Sequence, residues 1–180
     1  LAIYFVTEVA HEVESGLVDV TLARPVPRAM LVIRSLALAW SAVIAAVLLM
    51  AAGTRVGLFF LASPAYEPPS PGTAALLLAH LAAVAVCFSG IGLAIASGAR
   101  RWSTAFTLGA LGAVLLYLVH FLAIGWPPMR WVAWISPFNY YPAFSILAGD
   151  ASSTTNITIL LSAAAIFTAI GYRRFLARDL

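Results

Sequence analysis

The feature that most constrains this chain is a set of long apolar runs separated by short polar segments. Residues 30–52, 73–97 and 103–125 each match the roughly 20 mostly apolar residues that a membrane-crossing helix requires. Residues 156–172 form a fourth, shorter run that would cross a slightly thinned bilayer. Only 9% of the chain is charged, whereas soluble domains carry roughly 25% charged residues. The runs therefore predict a single transmembrane domain over residues 1–180, an all-α polytopic helix bundle.

The start of the chain resembles the end of a further apolar segment. Residues 1–7 (LAIYFVT) have neither the basic beginning nor the small-residue cleavage site of a secretory signal peptide. We therefore expect them to end another span whose beginning precedes Leu1, so that the chain is N-terminally incomplete.

A polar insert at residues 8–28 carries four of the seven acidic residues of the chain. Valine and leucine side chains recur there at spacings of three or four, which predicts one apolar stripe along a helix. The stripe consists of Val6, Val9, Val13, Leu17 and Val20. Since the acidic side chains lie off or beside it, an amphipathic helix would rest on the bundle and offer carboxylates to a soluble partner. A solvated connecting loop is the alternative that the pattern alone leaves open.

The arginines predict which side of the membrane each end occupies. All ten basic residues are arginines, and only Arg55 and Arg130 fall outside if the insert is cytoplasmic. The inner positions are Arg24, Arg28, Arg34, Arg100, Arg101, Arg173, Arg174 and Arg178. This distribution follows the positive-inside rule and predicts that the insert and the C-terminus are both cytoplasmic. Because the arginines orient the chain in the lipid bilayer, we expect no nucleic-acid partner.

Residues 126–155 are hydrophobic but are not predicted to cross the membrane. Pro137 and Pro142 would break a membrane helix, and Asn139 would need a hydrogen-bond partner in lipid. A span here would also move the C-terminal arginines to the outside. We therefore expect an outer re-entrant helical hairpin, with its tryptophans and tyrosines at the membrane interface.

Three motifs resemble the ABC-2-type permease family. Residues 12–28 (EVESGLVDVTLARPVPR) are similar to the family's first cytoplasmic loop, which precedes its third membrane helix. Residues 134–142 (WISPFNYYP) resemble the segment before the last helix, and residues 172–180 (YRRFLARDL) resemble the closing tail. Because the family has six membrane helices, the resemblance implies that this chain lacks the first and most of the second.

The resemblance implies the membrane subunit of an ABC exporter in the plasma membrane, of bacterial type. Two permeases, identical or different, would pair with two cytosolic ATPases, which would bind ATP and magnesium. The insert would be the coupling helix, docking on the ATPase through Glu8, Glu12, Glu14, Asp19 and Arg24. An outer gate would comprise Ser136, Pro137, Phe138, Tyr140 and Tyr141. As residues that line the substrate pathway we expect Trp40, Phe88 and Tyr117.

The sequence predicts no catalytic centre in the chain itself. A P-loop needs a lysine that reaches the phosphates, and the chain contains none. No metal-ligand cluster is recognisable, so we expect no cofactor in this chain. The glycines Gly90 and Gly92, together with Gly109 and Gly112, are expected to serve close helix packing.

Two histidines within the apolar runs support an alternative class of function. His80 and His120 are intramembrane ionisable groups, which often mark a proton pathway or a substrate contact. The alternative is therefore a non-ABC membrane protein: a proton-coupled transporter, an assembly scaffold, or an intramembrane enzyme that uses one of these histidines.

Overall fold

The computed structural model of the protein describes residues 28–61, 68–99, 101–149 and 153–177, and these are helical with no strand among them. Four long helices carry the fold: α1 (Arg28–Leu61), α2 (Pro71–Ala96), α3 (Trp102–Gly125) and, later in the chain, α5 (Ser153–Leu176). Each is apolar and long enough to cross a membrane. The expected all-α polytopic bundle is confirmed.

Helix α1 ends at Leu61, well beyond the predicted boundary at residue 52. No proline interrupts residues 28–61, and a helix continues until its backbone hydrogen bonds are broken. Gly53 and Gly57 do not stop it, and Thr54 donates its hydroxyl to the carbonyl of Met50 at 2.8 Å. Similarly, α5 is longer than residues 156–172 at both ends.

Helix α2 begins at a well-defined cap. The Ser70 hydroxyl oxygen accepts a hydrogen bond from the backbone N–H of Thr73 at 3.1 Å, and Pro71 occupies the first helical position. Proline is tolerated there because its missing N–H would have no helical partner.

Between α3 and α5 the chain forms three short helices. Two are 3₁₀ helices, Pro127–Ile135 and Pro137–Tyr140, and the third is α4 (Ala143–Ala148). None is long enough to cross a membrane, as the prolines predicted. The expected pair of short helices is instead mostly 3₁₀ structure, because prolines cannot donate the i→i−4 hydrogen bonds of an α-helix. Gly149 ends α4 in the left-handed conformation at φ 81°.

Helix α2 is the centre of the bundle. Gly90 lies against Ala164 and Thr168 of α5, and Gly171 of α5 lies against Leu93. Residue numbers therefore rise together along α2 and α5, so these two helices run parallel.

Helices α1 and α3 run antiparallel to α2. Early α1 packs on late α2 through the cluster of Val32, Ala39, Leu93 and Phe175, whereas late α1 shares a groove with early α2. Early α3 packs on late α2 through Ala105 and Ala96. Because α1 and α3 run opposite to α2 and α5, the latter two helices both end on one side of the bundle. The 3₁₀ segment lies on the other side.

Candidate functional site

The 3₁₀ segment meets the long helices at an aromatic junction centred on Phe138. The Phe138 ring lies 5.2 Å from the Phe88 ring of α2 and 5.5 Å from the Tyr117 ring of α3, the latter at an interplanar angle of 85°. The His120 ring lies 6.4 Å away. Aromatic pairs at these separations attract beyond the effect of area burial. Phe88 and Tyr117, predicted for the pathway, thus contact Phe138, predicted for the gate.

Ser136 fastens this segment to α3. Its fully buried hydroxyl donates to the backbone carbonyl of Leu116 at 2.8 Å. The same oxygen accepts a bond from the N–H of Phe138 at 3.3 Å, which caps the second 3₁₀ helix. Pro137, at the first position of that helix, is buried as well. One side chain therefore both shapes the turn and attaches it to a membrane helix.

The two tyrosines of the predicted gate make different contacts. The Tyr140 hydroxyl donates to the carbonyl of Trp134 at 3.0 Å, which ties the second 3₁₀ helix to the first. Tyr141 lines a groove between α1 and α2. The predicted gate residues thus contact α2, α3, the first 3₁₀ helix and the groove beside α1.

Trp40, the third predicted pathway residue, lies on α1. Its indole N–H donates to the Ser89 hydroxyl of α2 at 3.1 Å, and Ser89 donates in turn to the carbonyl of Val86 at 2.7 Å. No ring contact joins Trp40 to Phe138 among the described residues. The structure therefore brings two of the three predicted pathway residues together at the junction, and Trp40 is linked to it only through the neighbour of Phe88.

The two histidines have different surroundings. His80 is fully buried in α2, and its Nδ1 lies 2.8 Å from the carbonyl of Leu76, one turn earlier in the same helix. His120 lines a cavity of about 500 Å³ between the end of α3 and the 3₁₀ segment. Arg130 and Asn139 line the same cavity. Sequence reasoning did not bring these three residues together, because the fold-back of the 3₁₀ segment determines their proximity.

A larger groove was also missed. About 590 Å³ in volume, it lies between late α1 and early α2 and is mostly apolar. Arg55, Thr54 and the proline run 68–71 line it with Tyr141. The sequence did contain a signal for this groove: Arg55 and the proline-rich residues 68–71 are predicted on the same side of the membrane.

No group of three or more histidine, cysteine or carboxylate side chains that could hold a metal occurs among the described residues. The junction offers ring contacts and single hydrogen bonds. Each can be broken and re-formed at a small free-energy cost.

Comparison with protein families agrees with this architecture. The family model described as ABC-2 family transporter protein matches residues 2–180. The chain belongs to the ABC-2 transporter family. Comparisons with curated proteins and with solved structures gave no match.

Membership makes this ABC-2 chain a membrane permease component of ABC transporters, without an ATPase site of its own. The absence of lysine from the sequence agrees with that assignment. The predicted docking residues lie outside the described residues, so their role stays a prediction. They are Glu8, Glu12, Glu14, Asp19 and Arg24.

Proposed function

We propose that this permease is the membrane subunit of an ABC exporter, driven by separate ATPase subunits that bind ATP and magnesium. The observation that carries the proposal is the family match over residues 2–180 in a chain without lysine. Such a chain forms the translocation path, and its energy comes from a partner. The same argument disfavours a role for His80 or His120 as the centre of an enzyme or a proton-coupled transporter.

The ATPase docks, in this proposal, on the insert at residues 8–28. An acidic helical face offers ion pairs and hydrogen bonds to a soluble partner, and Pro25 and Pro27 restrict the backbone after it. A stiff connection to the start of α1 allows closure of the ATPases to tilt the bundle.

The positions of the described arginines support a cytoplasmic insert. Arg34, near the start of α1, and Arg173 and Arg174, near the end of α5, belong to the end of the bundle where Val32 packs on Phe175. Arg55 and Arg130 line cavities at the opposite end. This bias matches the positive-inside rule for a multi-pass protein of a bacterial plasma membrane.

The aromatic junction at Phe138 acts as the outer gate. It joins α2 and α3 to the 3₁₀ segment through ring contacts, so a tilt of the helices would separate the rings. Two permeases pair in the membrane, and the substrate passes between or beside them. The exposed apolar side chains of α1 and α3, such as Leu49 and Val114, are available to a second permease or to lipid.

The decisive experiment uses the full-length permease with its ATPase in proteoliposomes. The double variant Glu12→Gln and Glu14→Gln should weaken ATPase binding at least tenfold, because truncating a buried, hydrogen-bonded charge pair costs about 2–5 kcal/mol. Glu67→Gln, which removes a carboxylate from the predicted outer loop, is the matched control. Co-purification and ATP-dependent export are the measurements.

Two outcomes would contradict the proposal. Unchanged association and export in the double variant would reject the docking role of the insert. Export that persists with an ATPase unable to hydrolyse ATP would reject the exporter mechanism itself.

A further inference from the structure

The cavity at the end of α3 combines a cation with hydrogen-bonding side chains. It has a volume of about 500 Å³ and is lined by His120, Arg130, Trp134 and Asn139, with Ala123, Ile124 and Ala133 as its apolar wall. This volume falls in the range of roughly 300–1,000 Å³ that is typical of small-molecule sites. The proposed gate uses Phe138, which only borders this cavity through the His120 ring.

Charge in the cavity favours an anion. No carboxylate is among the side chains of the described part of the chain that line it, whereas Arg130 contributes a permanent positive charge. A guanidinium presents several N–H donors in a plane that matches two phosphate oxygens. Asn139 adds an amide that can donate to a third oxygen.

His120 supplies the second observation. Its Nδ1 is buried and has no hydrogen-bond partner within the described ranges. A buried polar nitrogen without a hydrogen-bond partner destabilises the folded state, unless a ligand or a water molecule forms a hydrogen bond with it. Because this nitrogen is covered, the imidazole ring must turn toward the cavity before a ligand oxygen can bond to it, with Arg130 neutralising the charge.

Position in the fold indicates that the anion comes from a lipid. The cavity lies where a membrane-spanning helix ends, and Trp134 lines it. Trp134 and two further tryptophans of the connection after α3, Trp126 and Trp131, are all more than half exposed. Tryptophans prefer the depth of lipid headgroups. Ile124, which lines the cavity, is itself an exposed apolar side chain against which an acyl chain can lie.

We propose that this cavity binds the phosphate-bearing headgroup of an anionic membrane lipid, with Arg130 as the charged contact and His120 and Asn139 as hydrogen-bond partners. A headgroup without an ammonium group, such as that of phosphatidylglycerol, fits best, because no lining carboxylate of the described residues would pair with an ammonium. The site is separate from ATPase docking and does not depend on transport.

The test measures lipid retained by the purified full-length protein. Nanodiscs of phosphatidylcholine mixed with phosphatidylglycerol are dissolved in mild detergent, and native mass spectrometry counts the phosphatidylglycerol molecules that stay bound. Arg130→Gln should reduce retention about fivefold, the effect expected for one basic residue at an anionic membrane surface. Asn139→Ala, at an exposed position, should reduce it less. Arg55→Gln is the matched control, since it removes the same charge from the same end of the bundle but from the other cavity.

Each outcome of this test either supports or overturns the proposed lipid site. Retention lost in the Arg130 variant and kept in the Arg55 variant supports the site. An equal loss in both variants means general surface attraction and overturns it, as does unchanged retention in the Arg130 variant. Inorganic phosphate added during detergent extraction separates the two sources of the anion. If phosphate alone displaces the lipid completely at millimolar concentration, the site belongs to a soluble anion and the lipid assignment is wrong.

Discussion

The contact between α2 and α5 and the contact between α3 and the 3₁₀ segment are built on different principles. Along the first, glycine allows backbone to approach backbone: a Cβ added at Gly90 would lie 2.7 Å from the carbonyl oxygen of Ala164. A Cβ at Gly171 would lie 3.0 Å from the backbone nitrogen of Ala94. Along the second, the segment is held by the Ser136 hydrogen bond and by the rings around Phe138.

This difference separates a rigid part of the permease from a part that can move. Backbone contacts over several helical turns cannot be released singly, so α2 and α5 would tilt as one unit. The 3₁₀ segment is fixed to α3 by single interactions worth about 1 kcal/mol each, in addition to its packing on the core, and such interactions can open locally. The proposed gate lies at this second contact.

The largest effect is expected from a substitution that disrupts the contact between α2 and α5. Gly90→Ala places a methyl group against the α5 backbone, where no side-chain rotation can make room, so the two helices must separate. We expect a loss of about 3 kcal/mol in the free energy of unfolding, at the upper end of the usual cost of overpacking. Unfolding in detergent, followed by circular dichroism, measures it.

Gly112→Ala is the control for that substitution, because a Cβ there meets nothing within 4 Å. It should be neutral or slightly stabilising, since alanine favours a helix over glycine by up to about 1 kcal/mol. Equal destabilisation by both substitutions would show that the α2–α5 contact is no tighter than the exposed surface of α3.

An intermediate effect is expected at the junction. Phe138→Leu keeps an apolar side chain but removes the ring contacts with Phe88 and Tyr117, each worth about 0.5–1.5 kcal/mol. Hydrogen exchange of the amides at residues 136–141 should accelerate about thirtyfold, corresponding to roughly 2 kcal/mol of easier local opening.

Phe144→Leu serves as the comparison in α4, because Phe144 is 89% exposed. It should leave exchange at residues 136–141 unchanged. If Phe138→Leu instead lowers global stability and leaves local exchange alone, the segment is part of the rigid unit and the contrast between the two contacts fails.

The helices were predictable because lipid imposes a simple rule. Apolar runs without proline become helices of span length, and the prolines between α3 and α5 break the chain into short turns. The end of α1 at Leu61 was missed since a helix that leaves the apolar region still keeps its backbone hydrogen bonds. Gly53, Gly57 and Arg55 do not disrupt these hydrogen bonds enough to end the helix.

The contacts between helices were much harder to predict. Gly90 and Gly112 look alike in sequence, yet the first faces the backbone of α5 and the second faces open space. Which small residue faces a partner depends on the rotation of each helix, and apolar runs without charge carry little signal for it. The cavity of His120 and Arg130 depends likewise on how the 3₁₀ segment folds back on α3.

The smallest expected effect concerns α1, which, like α3, is largely unburied along its most apolar stretch. Only 11% of its most apolar stretch is buried, compared with 39% for α2. A side-chain hydrogen bond between them joins Trp40 to Ser89. Hydrogen bonds between membrane helices average about 0.6 kcal/mol, because the separated helices find other partners in the membrane.

Trp40→Phe keeps the six-membered ring but removes the N–H together with the five-membered ring that carries it, so we expect somewhat more destabilisation in detergent unfolding than the roughly 0.6 kcal/mol of the hydrogen bond. A double-mutant cycle with Ser89→Ala isolates the pair, and Trp131→Phe, at a position 74% exposed, is the control. A coupling energy near zero would mean that the Trp40–Ser89 bond does not hold α1 in place, and that its packing at Val32 and Ala39 contributes more. A coupling above about 2 kcal/mol would exceed the values measured between membrane helices and would add α1 to the rigid unit.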